Sequence, residues 1–116
     1  MRAEQQIQRA IVQHLRQRSA PGVVFIHVPN GGKRKPIEAA IFKGLGVRRG
    51  ASDLLLWHAG RSYALELKAE GGRLSDNQKL VIDRLRVCGA TCAVAFGLTA
   101  ALHQLEEWQL LLGKTA

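Results

Sequence analysis

Two acids and a lysine stand out in the stretch from Gly50 to Lys68, G-A-S-D-L-L-L-W-H-A-G-R-S-Y-A-L-E-L-K. Asp53 opens one apolar run, and Glu66 and Lys68 close the next. A polar break, His58-Ala59-Gly60-Arg61, divides the runs, which is the layout of a β-hairpin. With the turn at Ala59-Gly60 and His58 opposite Arg61, Asp53 falls directly opposite Glu66. Cross-strand partners project to the same face with Cβ atoms about 4.5–5.5 Å apart. Lys68, two residues beyond Glu66, projects to that face as well. A one-residue slip in register would send the partner to the other face.

Two carboxylates that close repel each other, and burial raises the cost. A divalent cation resolves the conflict. Carboxylate oxygens suit Mg²⁺ or Mn²⁺, which keep part of their water and accept phosphate oxygens. The backbone carbonyl of Leu67, between the two side chains, is a further candidate ligand. The chemistry this suits is phosphodiester hydrolysis, with the ion polarising the phosphate and acidifying a water. The lysine would position that water or neutralise developing charge. E-x-K alone is common on solvated strand faces. The acid in register, the apolar strands and the basic flanks set this one apart.

The elements that must position these groups follow from periodicity. Ala3, Ile7, Ala10, Ile11, His14 and Leu15 recur at helical spacing and predict a helix over 3–18, ended by Ser19-Ala20-Pro21-Gly22. Val23 to Val28 reads as a strand, stopped by Pro29-Asn30-Gly31-Gly32. Pro36 starts a second helix with Glu38 near its positive end; it holds Ile37, Ala40, Ile41 and Leu45 and stops at Gly44 to Gly46. After the hairpin and a flexible turn, Ser75 and Gln78 have capping-box spacing for a helix carrying Leu80, Val81 and Leu85. Thr91 to Phe96 is a strand, Gly97 to Thr99 a turn and Ala100 to Leu112 a last helix. The expected order is α-β-α-β-β-α-β-α, an α/β fold without internal repeat or linker.

A chain of 116 residues allows one domain, 1–116, with one modest core, and 47% hydrophobic residues mark it as globular. No apolar run approaches the ~18–20 residues of a membrane span, and the polar start, Met1-Arg2-Ala3-Glu4, does not read as a secretion signal. Cys88 and Cys92, the only cysteines, lack a metal-binding neighbourhood and read as buried small apolar residues. Nothing argues for an oxidising compartment.

A net charge of +8 on so small a chain suggests a polyanionic partner, most simply nucleic acid. Lys33, Arg34 and Lys35 follow one turn, and Arg48 and Arg49 precede Asp53. Their task would be to hold phosphates, which positions a nucleic acid without reading its sequence; a merely solvated basic loop is the plainer alternative. Gly31-Gly32-Lys33-Arg34 lacks P-loop spacing, and the single tyrosine disfavours single-strand binding by base stacking.

Asp53…Glu66-x-Lys68 resembles the PD-(D/E)xK nuclease superfamily, and the chain more closely resembles the VRR-NUC domain. The features that match are Glu4 with Ile7-Gln8, Pro29-Asn30-Gly31-Gly32, Gly46 through Gly50 before Ser52-Asp53-Leu54, and Leu65-Glu66-Leu67-Lys68. They continue with Gly72-Arg73-Leu74-Ser75-x-x-Gln78 and Arg84-Leu85 before Gly89, in order across residues 4–97. Singly each is weak; as an ordered set they are specific. Ser52 departs from the proline often found before the acid, which concerns backbone shape rather than chemistry.

The resemblance implies a restriction-endonuclease-like central mixed sheet flanked by helices and an endonuclease dependent on Mg²⁺ or Mn²⁺. The active-site set it implies is Asp53, Glu66, Lys68, Glu4 and Gln78. Asp53 and Glu66 would be metal ligands, Lys68 the catalytic lysine, and Glu4 a helical acid approaching the metal directly or through water. For Glu4, the helix dipole alone would favour an acid in the first turn, although Glu4 shares a stripe with Ile7 and Ile11. For Gln78 the capping box is a sufficient explanation by itself. Stand-alone relatives resemble homodimeric junction-resolving enzymes, so the expected substrate is branched DNA, a Holliday junction above all, and the expected activity that of a structure-selective endonuclease. A nonspecific or flap-type nuclease of the same fold, or a non-catalytic basic nucleic-acid-binding module, are the alternatives. The viral and bacterial distribution of such domains implies the cytoplasm of a bacterial or phage-infected cell. The C-terminal Leu105, Trp108, Leu110, Leu111 and Leu112 could cover a second copy or finish the monomer's own core.

Overall fold

The computed structural model describes residues 3–28, 46 and 50–114. The expected second helix from Pro36, the turn at Pro29–Gly32 and the basic residues Lys33, Arg34, Lys35, Arg48 and Arg49 lie outside the described residues.

Within them the order is α1 (Ala3–Arg18), β1 (Val24–His27), β2 (Leu54–His58), β3 (Arg61–Lys68), α2 (Asp76–Val87), β4 (Thr91–Phe96) and α3 (Leu98–Glu107). The strands form a mixed sheet in the order β1-β2-β3-β4. β1 and β2 run antiparallel, as do β2 and β3, whereas β4 lies parallel to β3 after the crossover through α2. The hairpin has the register read from its turn, with His58 opposite Arg61 and Leu54 opposite Leu65.

Side-chain alternation divides the sheet into two faces. Leu54, Leu56, Tyr63, Leu65 and Leu67 face the main core, where Ile11 and Leu15 of α1 and Ala101, Leu102 and Leu105 of α3 meet them. Fully burying a Leu or Ile contributes about 1.5–3 kcal/mol, so this layer is the main support of the site. Helix α2 covers the opposite face, burying Val81 and Ile82, and its Ile82 carbonyl approaches the Cys92 sulfur on that face of β4. β3 is thus covered on both sides, and its residues from Tyr63 to Lys68 are all buried.

Several expectations are corrected. Leu80 is exposed and Ile82 buried, so the inward stripe of α2 is Gln78, Val81, Ile82 and half-buried Leu85. Cys88 is exposed at the C-cap of α2 and Cys92 is only half-buried; both are free thiols. The last helix stops at Glu107 rather than Leu112. Gln109 takes a left-handed backbone, φ 63°, which turns the chain so that Leu110 and Leu111 drop into the core. There Leu111 bridges Ser19, and the Arg18 guanidinium pairs with Glu106 at 2.8 Å. Leu105, Leu110 and Leu111 therefore complete the monomer's own core, leaving Leu112 exposed.

The hairpin turn carries a small strain. Ala59 and Gly60 both have positive φ, 50° and 79°, as a type I′ turn requires. Glycine accepts this freely, but alanine does not. Ala59→Asn is expected to raise unfolding stability by ~1 kcal/mol, because asparagine tolerates the left-handed region. Chemical denaturation would check it, and an unchanged or lowered midpoint would contradict the turn geometry.

Candidate active site

The end of the hairpin opposite the turn gathers the charged groups. Asp53, Glu66 and Lys68 are buried, with 4%, 1% and 8% of their surfaces exposed. The main chain holds Asp53 from both sides. Its carbonyl accepts from Val28 N–H at 2.8 Å, which continues the β1 pairing. Its carboxylate Oδ2 accepts from Leu67 N–H at 2.7 Å, the donor that β2 no longer meets beyond Leu54. The Lys68 carbonyl is taken by Gly97 N–H on the β4 side. By alternation along the strand, the Leu67 carbonyl is turned toward the β2 side, beside Asp53.

Glu66 is the unusual group. Its Oε1 accepts from Gln78 Nε2 at 3.0 Å, whereas its Oε2 is buried with no hydrogen-bond partner. Burial first, and then the neighbouring charge of Asp53, push its carboxyl up to about 9, against the pull of Lys68. Two carboxyl groups this close hold one proton between them unless a cation replaces it.

Gln78 caps the helix and also contacts Glu66. Its Oε1 accepts from Ser75 N–H at 2.8 Å and its own N–H donates to Ser75 Oγ at 3.1 Å, the complete capping box. The remaining amide N–H₂ reaches Glu66. The N-terminus of α2 is seated by Gly50, φ +82°, where an added Cβ would lie 2.5 Å from the Asn77 carbonyl carbon. No side chain fits there, so the backbone just ahead of Asp53 packs directly on the turn that carries Gln78.

Glu4 is half-buried on the first turn of α1, and its charge contributes the least of the causes raising Glu66. Among the described residues no group of three or more His, Cys, Asp or Glu side chains could hold a metal ion. The donor set is therefore two carboxylates and a main-chain carbonyl. That suits Mg²⁺, which is commonly held by one or two carboxylates and completes its shell with water and phosphate oxygens. The partnerless Glu66 oxygen beside Asp53 is the observation that a divalent cation fits.

Gln8, read from sequence only as a matching feature of the first helix, and His27, not singled out from sequence, join the site. Gln8 Nε2 donates to Asp53 Oδ1 at 2.9 Å, and Gln8 Oε1 meets His27 Nε2 at 2.9 Å. Gln8 follows Glu4 by one helical turn, which was the available signal; His27 offered none until the end of β1 was placed.

The family model for the VRR-NUC domain matches residues 2–97. Among solved structures, a VRR_NUC domain protein aligns with a TM-score of 0.76 at 23% identity, over 93% of this chain and 88% of that one. At that identity the likeness is one of fold. No curated protein matches the chain by sequence.

Proposed function

The chain belongs to the VRR-NUC domain family, a nuclease family of the PD-(D/E)xK type, and from that premise we propose that it is a divalent-metal-dependent, structure-selective DNA endonuclease. More narrowly, we propose a Holliday-junction resolvase that works as a homodimer with Mg²⁺ or Mn²⁺. The observation that carries the reading is the buried pair Asp53 and Glu66, with one Glu66 oxygen lacking any hydrogen-bond partner.

In this reading Asp53, Glu66 and the Leu67 carbonyl hold the ion, and Glu4 takes part through water. When bound, the ion supplies charge neutralisation at the scissile phosphate and a more acidic water. Asp53 is kept in place by Leu67 N–H, so its carboxylate needs no rearrangement when DNA arrives. Gln78 holds one Glu66 oxygen, and the other is buried without a hydrogen-bond partner. Lys68, on the same face as Glu66, offers an ammonium that neutralises charge developing on the phosphate or holds the attacking water. Lys33, Arg34, Lys35, Arg48 and Arg49 would track the DNA backbone. Arg48 and Arg49 directly precede Gly50, which is anchored against α2. Leu110 and Leu111 are used in the monomer core and so are not free to cover a second copy.

The test compares a four-way junction, a flap and a linear duplex, each with Mg²⁺, Mn²⁺ or chelator, alongside solution mass by light scattering. Paired symmetric nicks on the junction by a dimer, abolished by chelator, are expected. Equal cutting of all substrates would leave a nonspecific nuclease, and DNA binding without cleavage in either metal would leave a non-catalytic module.

A further inference from the structure

Asp53 is held from the helical side by a side-chain relay that begins on the edge of the sheet. Gln8 Nε2 lies 2.9 Å from Asp53 Oδ1, and Gln8 Oε1 lies 2.9 Å from His27 Nε2. The first contact determines the second. A carboxylate only accepts, so the Gln8 amide must present its N–H₂ to Asp53. Its carbonyl oxygen is then left facing His27, whose Nε2 must carry a proton to donate. His27 closes β1, where it pairs with Leu54, the residue after Asp53. Relay and carboxylate are therefore anchored on adjacent strands, while Gln8 comes from α1.

We propose that Gln8 is a positioning residue for the metal-binding carboxylate Asp53, and that His27 acts through Gln8 by fixing the orientation of its amide. The inference rests on the reading of Asp53 and Glu66 as metal ligands. With Leu67 N–H on Oδ2 and Gln8 on Oδ1, the Asp53 carboxylate cannot rotate about its last bond without losing both donors. Without His27 the Gln8 amide is free to flip, which would set its oxygen against Asp53. Residues that orient a ligand in this way commonly change metal affinity by ~10–100-fold when removed.

The experiment is calorimetric titration of Mn²⁺ into the full chain without DNA, with thermal melts to establish folding. Gln8→Ala should weaken Mn²⁺ binding by about 10-fold or more. His27→Ala should weaken it by a smaller factor, and His27→Gln, which places an amide N–H near the position of Nε2, should restore it. A merely structural role for His27 would not predict that rescue. The double variant Gln8→Ala/His27→Ala should bind as Gln8→Ala does, since two residues acting in series are not additive. Unchanged Mn²⁺ affinity in folded Gln8→Ala overturns the positioning role. Additive losses in the double variant, or failure of His27→Gln to recover affinity, overturn the relay. Absence of Mn²⁺ binding by the parent chain overturns the metal reading itself, an outcome distinct from binding that Gln8→Ala leaves intact.

Discussion

Glu66→Ala is expected to lower DNA cleavage by roughly 10²–10³-fold or more, the scale of losing one electrostatic stabiliser, while leaving DNA affinity close to that of the parent. The split between binding and cleavage follows from placement. Glu66 is 1% exposed and faces Asp53 and Gln78, so it makes no surface that DNA could reach without the ion. The basic residues that would hold phosphates are separate from it in the chain. Glu66→Gln is the sharper variant, because it keeps the shape and a carbonyl acceptor for the Gln78 amide while removing the charge. That protein should fold, bind DNA, lose cleavage and, at neutral pH without metal, gain stability, since folding no longer has to protonate a carboxyl that the unfolded chain ionises. Lys68→Ala should lose cleavage on a similar scale with Mn²⁺ binding retained, because the proposed role of Lys68 is at the phosphate or the attacking water and not as a metal ligand. Cleavage by Glu66→Ala or Glu66→Gln within tenfold of the parent would remove the pair from the active site.

The hairpin could be read from sequence because its register is a local property. Ala59 and Gly60 are flanked by apolar runs of defined length, so placing the turn placed every pair from His58–Arg61 to Leu54–Leu65. The acids then lay opposite each other by continuation, and the structure seats both at the buried end. The capping box at Ser75 and Gln78 was legible for the same reason, being set within four residues.

What escaped depended on docking. Leu80, Val81 and Ile82 are consecutive apolar residues, so the pattern alone left the rotation of α2 open; packing on β4 buried the last two and exposed the first. The C-terminal leucines looked like one helix because no glycine marked its end, and the left-handed turn is made by Gln109 instead. The contact between Gln8 and His27 joins residues 19 apart that meet only when α1 lies across the ends of β1 and β2. Neither residue type nor spacing carries that information.

The pH dependence of metal binding tests the acid pair from another direction. The Glu66 carboxyl, ordinarily near 4.5, is pushed up to about 9 by burial first and then by Asp53. The folded state therefore holds a proton that the unfolded chain releases much earlier. With the folded value raised, the stability linked to this group is fully present below pH 4.5 and is lost as pH rises toward 9. The slope approaches about 1.4 kcal/mol per pH unit within that window for one proton. In chelator, the Glu66 contribution should therefore lower the melting temperature between neutral and mildly alkaline pH, and Glu66→Gln should remove that contribution. Metal binding displaces the same proton, so the apparent Mn²⁺ affinity should rise by about tenfold per pH unit on the approach to pH 9. Calorimetry in buffers of different ionisation enthalpy counts the proton directly, and about one should be released per Mn²⁺ bound near pH 7. An affinity that does not change between pH 6 and pH 8, with no proton released, would mean that Glu66 is already ionised and that some other group neutralises the pair.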